Sequence, residues 1–333
     1  MIKNSPVVGI EQNEMLSIGN TLEHVPCPVG CGAGDDFCLI GHDLLHDLPG
    51  SFTVVKCKKC GLMRTCPRPS PQSMGAYYPK NYGPYLGTRI VDPTDRVRSK
   101  SRMFFSALVK RIFSFNTQVL PKIKPGQMLE VGCASGSFLH LMSGQGWDVQ
   151  GIEFDSKAAK TAGELGYQVQ VGALEKVELP DEYFDLIVGW MVLEHLHDPV
   201  NCLNRLRKSA KPGAWLVLSI PNAGSLEFRI FKDKWYALQL PTHLFHFTTP
   251  TITTVLESGG WKLVKVHHQR ILSNAIASAG YFLIEKGFHW LGKSLVTFPE
   301  RAGRWSYALY PIAWVFSVLG QTGRMTVWAK LES

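Results

Sequence analysis

Short apolar runs alternate along much of this chain with stretches whose apolar residues recur every three to four positions. The first pattern predicts buried strands and the second amphipathic helices. Strands are predicted at 127–131, 148–153, 167–171, 184–190, 214–220 and 261–268, with a last one at 324–330. Helices are predicted at 136–145, 156–165, 198–210 and 250–259. Such alternation makes a mostly parallel sheet covered by helices on both faces, so the expected fold is α/β with seven strands.

The last two strands are separated by 269–323, an apolar and aromatic interval. It carries Phe282, Leu283, Phe288 and Trp290, and it has no charge between Trp305 and Leu319. That uncharged stretch contains Pro311 and falls short of the ~20 residues a span requires. A helical insertion is expected here. Three roles stay open for it: capping an acceptor pocket, forming a dimer face, or lying in a membrane interface.

Ahead of the sheet the pattern is different. Residues 1–20 have none, which reads as a loose N-terminus. Residues 21–70 are rich in Gly and Pro and carry Cys27-Pro28-Val29-Gly30-Cys31 and Cys57-Lys58-Lys59-Cys60, with a β-like stretch at 52–56 between them. Two such knuckles read as a zinc ribbon. Cys27, Cys31, Cys57 and Cys60 would close a tetrahedral, structural Zn²⁺ site, because a module this small has little core of its own. Cys38 and Cys66 fit neither knuckle. Residues 71–125 begin with an aromatic loop holding Tyr77, Tyr78 and Tyr82, whose faces and hydroxyls suit a sugar or an aromatic acceptor. They continue into a basic, amphipathic stretch. From Arg96 to Lys124 there are eight basic residues and no acidic one, which equals the whole net charge of +8. That stretch could meet an anionic membrane surface or an anionic substrate. Nucleic acid is disfavoured, since the ribbon's own loops carry few cations beyond Lys56, Lys58 and Lys59.

Composition narrows the class. In 333 residues, 45% hydrophobic and 19% charged content is that of a globular protein. The first twenty residues lack a basic start followed by an apolar core, so a cytoplasmic location is expected, or a peripheral one at the inner face of the membrane.

The sharpest chemical signal is the turn Leu129-Glu130-Val131-Gly132-Cys133-Ala134-Ser135-Gly136, between a strand and a helix. Small residues there let a ligand lie against the backbone. Glu153 follows Gly132 by 21 positions and ends the next strand, where a carboxylate can accept from both hydroxyls of a ribose. A nicotinamide dinucleotide would want G-x-G-x-x-G, but Ala134 and Ser137 stand at its second and third glycines.

The spacing Gly132, Ala134, Gly136 instead resembles motif I of class I S-adenosylmethionine-dependent methyltransferases, with Glu130 at its leading acidic position. From Cys27 onward the chain resembles bacterial zinc-ribbon methyltransferases found among genes for cell-surface sugars and polysaccharides. The likeness includes Tyr77-Tyr78-Pro79, the run Trp190 to Pro199 and the run Leu240 to Thr248. It implies a Rossmann-like, seven-stranded class I methyltransferase domain over 126–268 and 324–333. It implies S-adenosylmethionine held by Glu130, Gly132, Cys133, Ala134, Gly136, Glu153, Phe154, Gly172, Ala173 and Trp190. His195, with Glu194 beside it, is the candidate base for a hydroxyl acceptor. Tyr77, Tyr78, Tyr82, His243 and His246 are candidate acceptor-site residues. The expected reaction is O-methylation of a sugar in a nucleotide- or lipid-linked saccharide. A hydrophobic phenol or quinone precursor, or C-methylation of a sugar, remain alternatives. Relatives that C-methylate nucleotide-linked deoxysugars carry a longer C-terminal domain than this chain supplies.

Overall fold

The computed structural model describes residues 21–78, 113–303 and 305–331. The loose N-terminus, Tyr82 and most of the basic stretch lie outside the described residues.

The N-terminal part is a small antiparallel assembly. Strand β1 (Leu22–Glu23) pairs with β5 (Arg68–Pro69). Between them β2 (Asp35–Gly41), β3 (Phe52–Cys57) and β4 (Met63–Thr65) form successive antiparallel pairs.

The main sheet then runs in chain order through β6 (Gln127–Val131), α1 (Ser137–Ser143), β7 (Asp148–Glu153), α2 (Ser156–Glu164), β8 (Gln168–Val171), β9 (Phe184–Trp190), α3 (Pro199–Ser209) and β10 (Ala210–Pro221). After a short helix α4 (Leu226–Phe231), strand β11 (Phe245–His246) leaves this sheet and pairs with β4. Helix α5 (Thr249–Ser258) and β12 (Lys262–His268) follow. Four helices come next: α6 (Ser273–Glu285), α7 (His289–Val296), α8 (Phe298–Arg301) and α9 (Trp305–Val318). Strand β13 (Arg324–Lys330) ends the fold.

The seven strands lie in the order β12-β13-β10-β9-β6-β7-β8. β6 to β10 are mutually parallel where they pair, and β13 runs antiparallel to both β10 and β12. This is the Rossmann-like fold of class I methyltransferases. The continuous apolar runs of the central strands have a direct cause: alternate residues serve different cores. Leu129, Ile187, Leu216 and Leu218 enter one buried cluster, while Met128, Leu186, Val188 and Val217 enter the other.

Helix starts follow the capping chemistry of the sequence. Asp155 accepts from the amides of Lys157 and Ala158 at α2, Asp198 from Asn201 at α3, and Thr248 and Thr251 form a reciprocal capping box at α5. The observed β10 begins four residues before the predicted strand. Ala210 pairs with Phe184, and the register then shifts at Gly213, whose φ is +77°. The polar Lys211-Pro212-Gly213 bulge hides that continuity from a reading by hydrophobicity.

Candidate functional site

Ligands of open α/β sheets bind beyond the carboxyl ends of the strands, where the strand order reverses. Here that point lies between β6 and β9, and the predicted residues gather on it.

The turn after β6 is tied to β7. The amides of Gly132 and Cys133 both donate to the Ile152 carbonyl, at 2.8 and 3.1 Å. Gly132 has a φ of +71°, and a Cβ there would stand 2.6 Å from Cγ2 of Val192. Ala134 also takes a positive φ of +46°, and its amide donates to Glu153 Oε2 at 2.8 Å. The other Glu153 oxygen accepts from the Asp155 amide at 2.9 Å. One carboxylate thus clamps the turn to the end of β7. Burial raises the Glu153 pKa, and the amides of Asp155 and Ala134 pull it back in part.

Glu130 is buried on β6, two residues before Gly132, and its Oε2 has no hydrogen-bond partner. Burial, and then the charge of Glu153, hold its carboxyl well above the usual range. Two acids facing the same turn repel, and a cation between them would relieve both. Trp190, at the end of β9, packs edge-on against Phe138 with ring centroids 5.0 Å apart, and its indole N–H has no partner. Phe154 is mostly exposed beside Glu153, and Gly172 donates to the Glu153 carbonyl at 2.9 Å with Ala173 next in the chain. Cys133 is buried instead: its sulfur would collide with a Cβ on Gly151, so it fills space between β6 and β7.

Glu194 and His195 follow β9 in a short 3₁₀ turn. Glu194 is fully buried, neither carboxylate oxygen has a hydrogen-bond partner, and burial pushes its pKa up to about 8 against the pull of the Arg324 guanidinium. His195 Nδ1 lies 2.9 Å from the Thr242 carbonyl and 3.0 Å from the Tyr78 hydroxyl. A carbonyl only accepts, so Nδ1 carries the proton and Nε2 keeps a lone pair. Burial pulls the pKa of His195 down to about 4, so this tautomer is neutral at pH 7. The His243 ring stands edge-on to it, centroids 4.6 Å apart, and donates from Nδ1 to the Ala237 carbonyl at 2.9 Å. One nitrogen of each imidazole and one oxygen of Glu194 lie within 4.8 Å of one another.

The remaining predicted acceptor residues divide. Tyr78 belongs to the cluster through His195. Tyr77 is buried against Phe52, ring centroids 5.8 Å apart, and serves the N-terminal core. His246 is fully enclosed at the β4–β11 junction, its Nε2 3.4 Å from Thr65 Oγ1, and burial takes its pKa down to about 3. Two residues escaped the sequence reading. Thr242 supplies a backbone carbonyl, which no side-chain pattern encodes. Arg324 begins an ordinary-looking last strand, yet its guanidinium is buried and attracted by Tyr236, Glu194 and Glu227.

The four knuckle cysteines also converge, with their sulfur atoms within 4.8 Å of one another. Cys27 and Cys60 sulfurs stand 3.5 Å apart, far beyond a disulfide bond and near the edge of about 3.8 Å of a tetrahedron with Zn–S bonds of about 2.3 Å. Burial opposes ionisation of Cys57, but the amides of Cys60 and Lys59 outweigh it and bring the thiol down to about 7. This donor set is able to hold Zn²⁺.

The sequence profile of the methyltransferase domain family matches residues 100–266. The chain belongs to that family, of the class I S-adenosylmethionine-dependent type. It is 31% identical over 137 residues to a ubiquinone biosynthesis O-methyltransferase of Bordetella avium, covering 38% of this chain and 57% of that protein. It is 26% identical over 163 residues to a probable S-adenosylmethionine-dependent methyltransferase of Mycolicibacterium smegmatis, covering 47% and 62%. The chain thus spans about half the length of the curated relatives it matches. Among solved structures, an S-adenosylmethionine-dependent methyltransferase from Mesorhizobium loti aligns over 63% of this chain and 93% of its own, at a TM-score of 0.42 and 17% identity.

Proposed function

We propose that this chain methylates a hydroxyl of a sugar in a nucleotide- or lipid-linked saccharide destined for cell-surface polysaccharide. S-adenosylmethionine, when bound, supplies an electrophilic methyl group on a sulfonium. The residues at the end of β6 and β7 suit it: Glu130 offers one unpartnered carboxyl oxygen for a cationic group, Glu153 offers acceptor lone pairs to a ribose, and Gly132 has no room for a side chain.

The observation that carries the hydroxyl reading is the fixed tautomer of His195. Its Nδ1 proton is held by Thr242, which leaves Nε2 to take a proton from an acceptor beside the donor site. Glu194 and Trp190 add buried polar atoms without partners, which a polyhydroxylated acceptor would satisfy. Most acceleration in such a site comes from alignment of acceptor and methyl group. Cys27, Cys31, Cys57 and Cys60 hold a structural Zn²⁺ in this reading, with four thiolates closing its coordination.

One observation favours a second acceptor class. Several matched relatives are named ubiquinone biosynthesis O-methyltransferases, which supports a phenol or quinone precursor. The deciding experiment follows S-adenosylhomocysteine release from the purified protein with nucleotide sugars, lipid-linked saccharides and catechols as acceptors. Turnover on saccharides, with a new O-methyl in the product, is the expected result. Turnover on phenols alone would replace the sugar reading, and a new C-methyl would move the reaction to carbon.

A further inference from the structure

The side chains of α9 are arranged inside out. The face it turns to the protein carries Tyr310, Ala313 and Ser317, and two of these use their hydroxyls: Tyr310 donates to the Ser114 carbonyl at 3.1 Å and Ser317 to the His268 carbonyl at 2.7 Å. The outward face carries Trp305, Ile312, Trp314, Val315, Val318 and Leu319. Trp305 is 68% exposed and Val318 64%, and the helix has no charged residue. An ordinary surface helix has the opposite arrangement. α7 adds to the effect: Trp290 is 84% exposed, with Phe288 and Leu291 exposed beside it. Exposed apolar surface on this scale marks an interaction site.

We infer that α7 and α9 seat the protein on an anionic lipid bilayer, lying in its interface. Three observations choose this occupant. First, α9 has fourteen residues, a length of about 21 Å, and no helix among the described residues is long and apolar enough to cross a membrane. Second, the exposed residues include three tryptophans, the side chain most suited to the boundary between headgroups and acyl chains. Third, exposed Lys286 and Lys293 flank Phe288, Trp290 and Leu291, and the described end of the basic stretch, from Phe113 on, is anchored on α9. The rings of Phe113 and Phe115 each pack edge-on against Tyr307 and Tyr310, with centroids 5.0 to 5.5 Å apart. In sequence, Lys110 and Arg111 lie just before Phe113, within a run from Arg96 to Lys124 without an acidic residue. Cations beside an apolar face complement anionic headgroups. The inference stands apart from the acceptor proposed above, since it rests on this apolar surface and its cations and not on the reaction.

The test is co-sedimentation of the full chain with vesicles of phosphatidylcholine, and of phosphatidylcholine mixed with phosphatidylglycerol, with the oligomeric state in solution measured alongside. The expected result is binding to the anionic vesicles that weakens as salt is raised. Trp305→Ser with Val318→Ser removes two exposed apolar side chains from the lipid contact and should weaken binding by about a hundredfold or more. Three results would overturn the inference: no sedimentation with either vesicle, equal sedimentation with both, or a stable dimer that the double variant dissociates. If the variant fails to fold, the comparison of vesicles with the unaltered protein still decides.

Discussion

The Tyr78 hydroxyl lies 3.0 Å from Nδ1 of His195, across 117 positions of sequence. The same nitrogen donates to the Thr242 carbonyl, so three distant segments fix one imidazole. Tyr78 comes from the end of the N-terminal module and Thr242 from the segment that leads into β11. His195 is therefore oriented by contacts that the parallel sheet alone does not provide.

Replacing His195 with Ala is expected to lower kcat by about 10²–10⁴-fold while leaving S-adenosylmethionine affinity near its original value. Isothermal titration beside steady-state kinetics separates the two. Burial takes His195 down to about 4, so activity in the unaltered enzyme should not fall on acidification through the ordinary histidine range. A kcat/KM profile with its acid limb near pH 6.5, removed in the Ala variant, would contradict this assignment.

Glu194 has a folded-state pKa of about 8, above its unfolded value. Between those two values the folded protein holds one proton more than the unfolded chain. Its contribution to stability is therefore complete below the unfolded pKa and is lost as pH rises toward 8, at on the order of 1 kcal/mol per unit. Glutamine cannot titrate. The Tm of Glu194→Gln should gain on that of the unaltered protein as pH goes from 5 to 9, and a gap that stays constant would count against a buried, protonated Glu194.

Glu153 bonds the amides of Ala134 and Asp155, and it faces the proposed ribose. Glu153→Ala loses both the clamp and the acceptor. With charged hydrogen bonds contributing about 1.5–3 kcal/mol each, S-adenosylmethionine affinity should drop roughly 10- to 100-fold or more. Equilibrium binding measures it, and unchanged affinity would mean that the ribose lies elsewhere.

Removing the metal should reach the site through the sheet. Cys57→Ser is expected to abolish stoichiometric zinc in a native mass spectrum and to lower Tm. β4 also holds the segment around His243: Thr65 donates its hydroxyl to the His243 carbonyl at 2.8 Å and its amide to the Leu244 carbonyl at 3.0 Å. Loss of zinc should therefore lower kcat too. A variant that retains zinc would remove Cys57 from the ligand set.

Much of the fold is legible in the chain because its cues are local. The central strands are rich in apolar residues because both their faces are buried, and α2, α3 and α5 start on side-chain caps at Asp155, Asp198 and Thr248. The turn from Gly132 to Gly136 and the acid at Glu153 are legible for the same reason: close backbone approach in the turn, and the clamp from Glu153 to the Ala134 amide, demand particular residue types at short spacing. The knuckle cysteines likewise declare themselves in pairs. What surrounds His195 is not local. Whether Tyr77 or Tyr78 meets the imidazole depends on how the N-terminal strands dock, and two adjacent tyrosines look alike until that docking is fixed. His243 and His246 occur three residues apart, yet one stands beside His195 and the other closes the β4–β11 junction. Thr242 acts through a carbonyl, and Arg324 through burial among carboxylates, and neither property has a sequence pattern. Sequence alone determined the sheet, its caps and the donor turn, since those follow from periodicity and steric demand within a few residues. Only the tertiary structure decided which polar groups gather at the carboxyl end of β9 and which face of α9 is left apolar toward the outside, because both depend on contacts between segments far apart in the chain.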